Sequence, residues 1–322
     1  MSELFKPAPE PATRLGRLRV LSKTAGIRVS PLILGGASLG DAWSAFMGSM
    51  NKEQAFELLD AFYEAGGNFV DTANSYQNEQ SETWIGEWMK SRKLRDQIVI
   101  STKFTTDYKG YDFAYSSAAG KVLYLGVSDT PAWVVSAANY YATSHGKTPF
   151  SIYQGKWNVL NRDFERDIIP MARHFGMALA PWDVMGGGRF QSKKAMEERK
   201  KNGEGLRTFV GDPEQTDAEI KISEALTKVA EEHGTESVTA IAIAYVRSKA
   251  KNVFPLVGGR KIEHLKQNIE ALSIKLTPEQ IEYLESIIPF DVGFPTNFIG
   301  DDPAVAKKAS LLTAMSAQIS FD

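Results

Sequence analysis

Asn68-Phe-Val-Asp-Thr-Ala-Asn-Ser-Tyr76 reads as a short strand, Phe69-Val70, that delivers an acid at its end and a phenol five residues later. Adjacent apolar residues bounded by polar ones suit a strand covered on both faces, as in parallel sheets. The next apolar run, Ile98-Val-Ile100, also ends on polar residues, Ser101-Thr-Lys103. Helices flank these strands. Asn51 with Gln54 three residues on predicts a capped start, Phe56, Leu59, Phe62 and Tyr63 an inner face, and Gly66-Gly67 a stop. Trp84, Ile85, Trp88 and Met89 mark a second amphipathic helix before the Lys103 strand. An acid, a phenol and a lysine at successive strand ends make a candidate proton-transfer site. Taken alone, these three residues suit a structural Asp–Lys pair beside a core tyrosine at least as well.

The same rhythm extends in both directions. Leu18–Leu21 and Ile27–Val29 predict a hairpin, and Pro31-Leu-Ile-Leu34 a strand opening into Gly35-Gly36. Further strands are expected over Val122–Val127, Ser151–Gln154, Met177–Ala180 and Val253–Val257, with helices after each. The stretch 191–217 is long and charged, which predicts a surface lid at about 190–217. Thr277-Pro-Glu-Gln280 opens a last helix, and the tail from about 290 to 322 has no periodicity. Strand–helix alternation with polar residues at strand ends predicts one α/β domain over 1–322, a (β/α) barrel rather than a doubly wound sheet. No Gly-x-Gly-x-x-Gly follows the first strand, which argues against a Rossmann domain.

The bulk composition narrows the function. The 322 residues carry a net charge of −2, no reason to expect nucleic acid or an anionic membrane as partner. There is no cysteine, which excludes disulfides, thiol nucleophiles and Cys-ligated metals. No His/Asp/Glu cluster has metal-site spacing, so no metal is expected. Without a signal-peptide-like start or an apolar run of about 18 residues, a cytoplasmic setting is expected.

Asp71 and Tyr76 at their five-residue spacing, and Lys103 in Ser-Thr-Lys-Phe, resemble three of the four catalytic positions of the aldo-keto reductase superfamily. Gly126-Val-Ser-Asp129 is similar to the Gly-Val-Ser-Asn stretch of that family, with Asp129 where Asn is usual. The surrounding residues resemble most the fungal aryl-alcohol dehydrogenase and norsolorinic acid reductase-like branch. The resemblance implies a barrel of the (β/α)8 TIM type, NADP(H), and hydride transfer between aromatic or polyketide-like aldehydes or ketones and their alcohols. It makes Tyr76 the proton donor, Lys103 the group that tunes it and Asp71 the orienter of Lys103. It also makes Ser128, Asp129 and Gln154 the grip on the nicotinamide amide, with Trp182 under the ring. Gly186 and Arg189 would serve the cofactor from the glycine-rich turn. Gly258, Arg260, Lys261, Gln267 and Asn268 would hold the adenine end, where two cations at a helix start suit a 2′-phosphate; an ordinary solvated helix start is the plain alternative.

The resemblance breaks between Lys103 and Val122. The family carries there a helix, a strand bearing its active-site His, and another helix. The residues at about 105–120 have neither helical periodicity nor a strand pattern. Seven core strands can be counted where eight close the usual barrel. An incomplete or seven-stranded barrel is therefore expected, with two free edges that invite pairing with a second copy. Of four histidines, His145, His174 and His233 lie next to glycines that end helices, and His264 lies on the cofactor-phosphate side. None replaces the missing one. A nucleotide-binding relative with impaired catalysis, acting as a binding or regulatory protein, and a non-functional truncated form are the alternatives.

Overall fold

The computed structural model describes residues 7–104, 122–201, 206, 214–300, 306 and 309–316. The chain opens with an antiparallel hairpin, β1 (Arg19–Ser22) and β2 (Ala25–Val29), and continues with seven parallel strands. These are β3 (Ile33–Gly35), β4 (Phe69–Asp71), β5 (Val99–Ser101), β6 (Leu125–Ser128), β7 (Phe150–Lys156), β8 (Ala178–Trp182) and β9 (Leu256–Val257). One sheet runs β5-β4-β3-β9 and the other β6-β7-β8. A parallel bridge from Leu179 to Val253 joins them, with Phe254 N–H donating to the Leu179 carbonyl at 2.8 Å. The ring therefore follows chain order, closes between β9 and β3, and among the described residues stays open between β5 and β6. This is a (β/α)8 barrel lacking one wall.

The register sets the mouth of the barrel. Gly35, Asp71 and Ser101 lie side by side on β3, β4 and β5, while Ser128, Gln154 and Ala180 do so on β6, β7 and β8. Beneath the first group Ile33, Phe69 and Ala178 are buried against Leu21, Ala25 and Val29 of the hairpin, which plugs the bottom. The filled interior and the polar rim at strand ends are what this architecture requires.

Helices cover the outside for the reasons the sequence suggests. α1 (Ser44–Met47) is a single turn in the loop after β3. α2 (Lys52–Glu64) starts with a reciprocal Asn51–Gln54 capping box and buries Ala55, Leu58, Leu59 and Phe62, one residue round from the face expected. α3 (Gln80–Arg92) buries Trp88 completely, its indole N–H donating to Asp60 at 2.7 Å. Full burial of so large an apolar side chain contributes roughly 3 kcal/mol. α4 (Ala132–Ser144), α5 (Ile168–Phe175), α6 (Lys193–Lys201), α7 (Asp217–Glu232), α8 (Val238–Lys249), α9 (Ile262–Glu270) and α10 (Pro278–Ile287) complete the layer.

Four expectations change. The strand expected from Val122 begins at Leu125, where the ladder to Phe150 of β7 starts; Val122 and Leu123 before it are exposed. The strand at 253–257 keeps a ladder only at Leu256–Val257 and a single bridge at Val253. The lid contains helix α6, and the tail contains short helices at Thr296–Ile299 and Leu311–Ser316. The missing unit, expected at about 105–120, lies outside the described residues. Phe104 and Leu123, on either side of it, are 75% and 79% exposed. The described residues contain no helix long and apolar enough to cross a membrane.

Candidate active site

Asp71 is delivered to the mouth by β4 and is 1% exposed. Its Oδ1 accepts from the Ser101 hydroxyl at 2.6 Å and from the Gln154 side-chain amide at 3.0 Å. Its Oδ2 accepts from Lys103 Nζ at 2.7 Å, and Lys103 also donates to the Thr72 carbonyl at 2.8 Å. A buried carboxylate is tolerated only when it is paired and hydrogen-bonded, as here. Lys103 Nζ lies 5.1 Å from the centre of the Tyr76 ring. Acid, lysine and phenol thus form one contiguous group.

Local folding puts Tyr76 there. Gln77, Asn78 and Glu79 all take positive φ, at 53°, 52° and 76°, a left-handed turn that ordinary side chains resist. Gln77 offsets that strain. It is fully buried, its amide donating to the Ala37 carbonyl at 2.8 Å and its carbonyl oxygen accepting from Trp43 N–H at 2.8 Å. Gln80 accepts from Asp41 and Ala42 in the same loop, so the two glutamines tie the β3–α2 loop to the tyrosine turn. Trp43 then meets the Tyr76 ring edge-on at 6.1 Å. None of these three residues stands out in the sequence, where Trp43 shares its loop with Leu39, Phe46, Met47 and Met50.

The electrostatics of Tyr76 differ from expectation. Burial pushes its proton affinity up, and that outweighs the downward pull of Lys103; Asp71 and Asp129 add to the rise. The phenol is held above its ordinary range, chiefly by burial.

Across the mouth, Asp129 at positive φ (49°) accepts from Ser128 at 2.7 Å and from the Trp182 indole at 3.2 Å. Its own N–H donates to the Gln154 carbonyl at 3.0 Å. A third cluster comprises Gly258, Arg260, Lys261, His264, Gln267 and Asn268, around β9 and α9. All three groups line one cavity of about 2920 Å³. Its lining continues past the mouth to Leu21, Ile33, Val99 and Leu123, so the volume includes the opening between β5 and β6 as well as the mouth. Gly258 leaves open space where a side chain would begin, and at Gly187 and Gly188 an added Cβ would meet only ordinary contacts, at 3.5 and 4.0 Å. Gly48, at φ +73°, lies so close to Arg260 that a Cβ there would fall 1.9 Å from the guanidinium. Cations, backbone without side chains and a stacking indole along one cleft fit a dinucleotide.

Two of the expected cofactor residues lie elsewhere. Arg189 is drawn to Glu219 at 3.3 Å and to the Glu214 carbonyl at 2.7 Å, which ties the β8 loop to α7 and takes it off the cavity wall. Gly186 packs over Phe190, whose ring would be 2.9 Å from an added Cβ, so its small size serves the turn. No histidine belongs to the Asp71–Lys103–Tyr76 group. His145 stacks on Tyr141 at 4.0 Å, His174 meets the Tyr140 hydroxyl at 2.6 Å, His233 meets Gln280 at 3.0 Å, and His264 lies in the Arg260 cluster. The described residues contain no group of three or more His, Cys, Asp or Glu placed to hold a metal ion.

Comparison with known proteins agrees with this geometry. The model of the aldo/keto reductase family matches residues 31–118 and 113–289, two pieces that meet within the stretch where the sequence lacks a unit. The chain is 76% identical to the putative aryl-alcohol dehydrogenase AAD14 of Saccharomyces cerevisiae, with all of both chains covered. That alignment runs to 375 positions while this chain has 322 residues, so the relative contains positions that this chain lacks. The chain is 51% identical to the aldo-keto reductase ausK of Aspergillus calidoustus, covering 99% of this chain and 94% of that one. It is 47% identical to the aryl-alcohol dehydrogenase (NADP(+)) of Phanerodontia chrysosporium, covering 92% of each. A barrel with Asp71, Tyr76 and Lys103 clustered at its mouth, matched by the family's model over most of its length, places this chain in the aldo/keto reductase family of oxidoreductases.

Proposed function

We propose that the chain is an NADP(H)-dependent oxidoreductase that interconverts aromatic or polyketide-like aldehydes and ketones with their alcohols. The observation that carries this reading is the Asp71–Lys103–Tyr76 group standing in the same cleft as the Arg260–Lys261 cluster. When bound, the nicotinamide supplies the hydride. Tyr76 holds the proton for the carbonyl oxygen; general acid action of this kind is worth roughly 10²–10⁴-fold. Asp71 holds Lys103 in place, and Lys103 opposes the effect of burial on the phenol. Ser128, Asp129 and Gln154 would hold the nicotinamide amide, and Trp182 would lie along the ring. Asp129 can accept but not donate, so its grip is limited to the amide N–H groups. Arg260 and Lys261 suit a 2′-phosphate, with Gly258, Gln267 and Asn268 beside them. Trp43 against Tyr76 supplies an aromatic wall that favours flat, aromatic carbonyl compounds. We place the protein in the cytoplasm as one domain, with the edges of β5 and β6, unpaired among the described residues, available to a second copy.

A second reading, a nucleotide-binding protein with impaired turnover, draws on the lack of a histidine beside the Asp71–Lys103–Tyr76 group and on the raised proton affinity of Tyr76. Titrating NADPH by its fluorescence and then following its consumption with an aryl aldehyde separates the two. Turnover that Tyr76→Phe abolishes, with binding intact, supports the enzyme. Binding without turnover supports the second reading.

A further inference from the structure

Asp71 receives three donors, yet only Lys103 belongs to the proton-transfer group described above. The other two come from different strands. Ser101 is the register partner of Asp71 on β5, and its hydroxyl reaches Oδ1 at 2.6 Å. Gln154 comes from β7, in the opposite sheet, and its amide spans the mouth to the same oxygen at 3.0 Å. Two donors on Oδ1 fix the plane of the carboxylate, which aims Oδ2 at Lys103. Among the described residues no strand pairs with β5 or β6 on the open side, so this amide is a direct tie between the two halves at that level.

We infer that Gln154 and Ser101 are positioning residues for the proton-transfer group, holding Asp71 so that Lys103 stays against Tyr76. This rests on the reading of Tyr76 as proton donor, but goes beyond it by giving Gln154 a task that needs no nucleotide. The charged or titratable groups that face Tyr76 are Lys103 from the end of β5, Asp71 from β4 and Asp129 from the end of β6. Releasing the Asp71 carboxylate lets Lys103 move off the ring and weakens its downward pull on the phenol.

The test follows Tyr76 by NMR of ζ-¹³C-labelled tyrosine in the nucleotide-free protein, with Tyr76→Phe assigning the signal. Gln154→Leu should raise the titration midpoint of Tyr76 by about half a pH unit or more, a roughly threefold change in proton affinity. Ser101→Ala should shift it in the same direction, and serves alone if Gln154→Leu does not fold. In an Asp71→Asn background, Gln154→Leu should add nothing. A midpoint unchanged in both single variants overturns the inference and leaves Gln154 a cofactor contact only. Because no nucleotide or carbonyl compound is present, absence of turnover would refute the proposed activity without altering this result.

Discussion

Replacing Lys103 by methionine tests the electrostatic core of the site. Asp71 is 1% exposed, and the substitution leaves its carboxylate without a cation while Ser101 and Gln154 still donate to it. Breaking a buried ion pair from one side costs about 3–5 kcal/mol. The Lys103 side chain is 25% exposed and two neutral donors remain, so the lower end applies, about 3 kcal/mol. With a urea slope of about 3 kcal/mol per M for a chain of this size, the unfolding midpoint followed by tryptophan fluorescence should fall by about 1 M. The double variant Lys103→Met with Asp71→Asn removes the uncompensated charge and should recover half or more of the loss. A Lys103→Met midpoint within about 0.2 M of the parent would refute the reasoning, since the carboxylate would then be effectively solvated. NADPH consumption should fall roughly 10²–10⁴-fold in the same variant, because the phenol loses the one group that eases its deprotonation.

Gly48→Ala places a side chain against the Arg260 guanidinium and strains a positive φ, so fluorescence titration should show NADPH affinity falling by about tenfold with NADH affinity little changed. Trp88→Ala removes a fully buried indole and its bond to Asp60, and should cost about 3–5 kcal/mol in urea unfolding. Tyr245 is fully buried with its hydroxyl 3.0 Å from Glu285, and burial with the neighbouring carboxylates lifts its proton affinity well above the ordinary phenol range. The folded state therefore keeps a proton that the unfolded chain loses near pH 10. Stability from this group is present below that pH and is lost as pH rises, by up to about 1.4 kcal/mol per unit. Tyr245→Phe should flatten that alkaline decline in a series of unfolding curves.

Much of this was legible along the chain because the signals are local. Asn51 with Gln54 and Thr277 with Gln280 form reciprocal capping boxes that depend only on residues three apart. Thr216 with Glu219 does the same for α7. The paired apolar residues before Asp71 mark a parallel strand because burial on both faces leaves no room for alternation, whereas those before Ser101, at the open side, are only half-buried. The exposed starts at Val122 and Leu123 were misread because apolar composition does not fix where a ladder begins.

The sequence by itself therefore determined the alternation of strands and helices, the three residues of the proton-transfer group and the lack of a histidine beside them. Each of those rests on residue type and short spacing. The tertiary structure alone decided that Gln154, 83 positions from Asp71, shares its carboxylate, that Arg189 turns to Glu219, and that burial outweighs Lys103 at Tyr76. Those outcomes depend on which strand ends converge and on how much water is excluded where they meet, and no spacing along the chain encodes either.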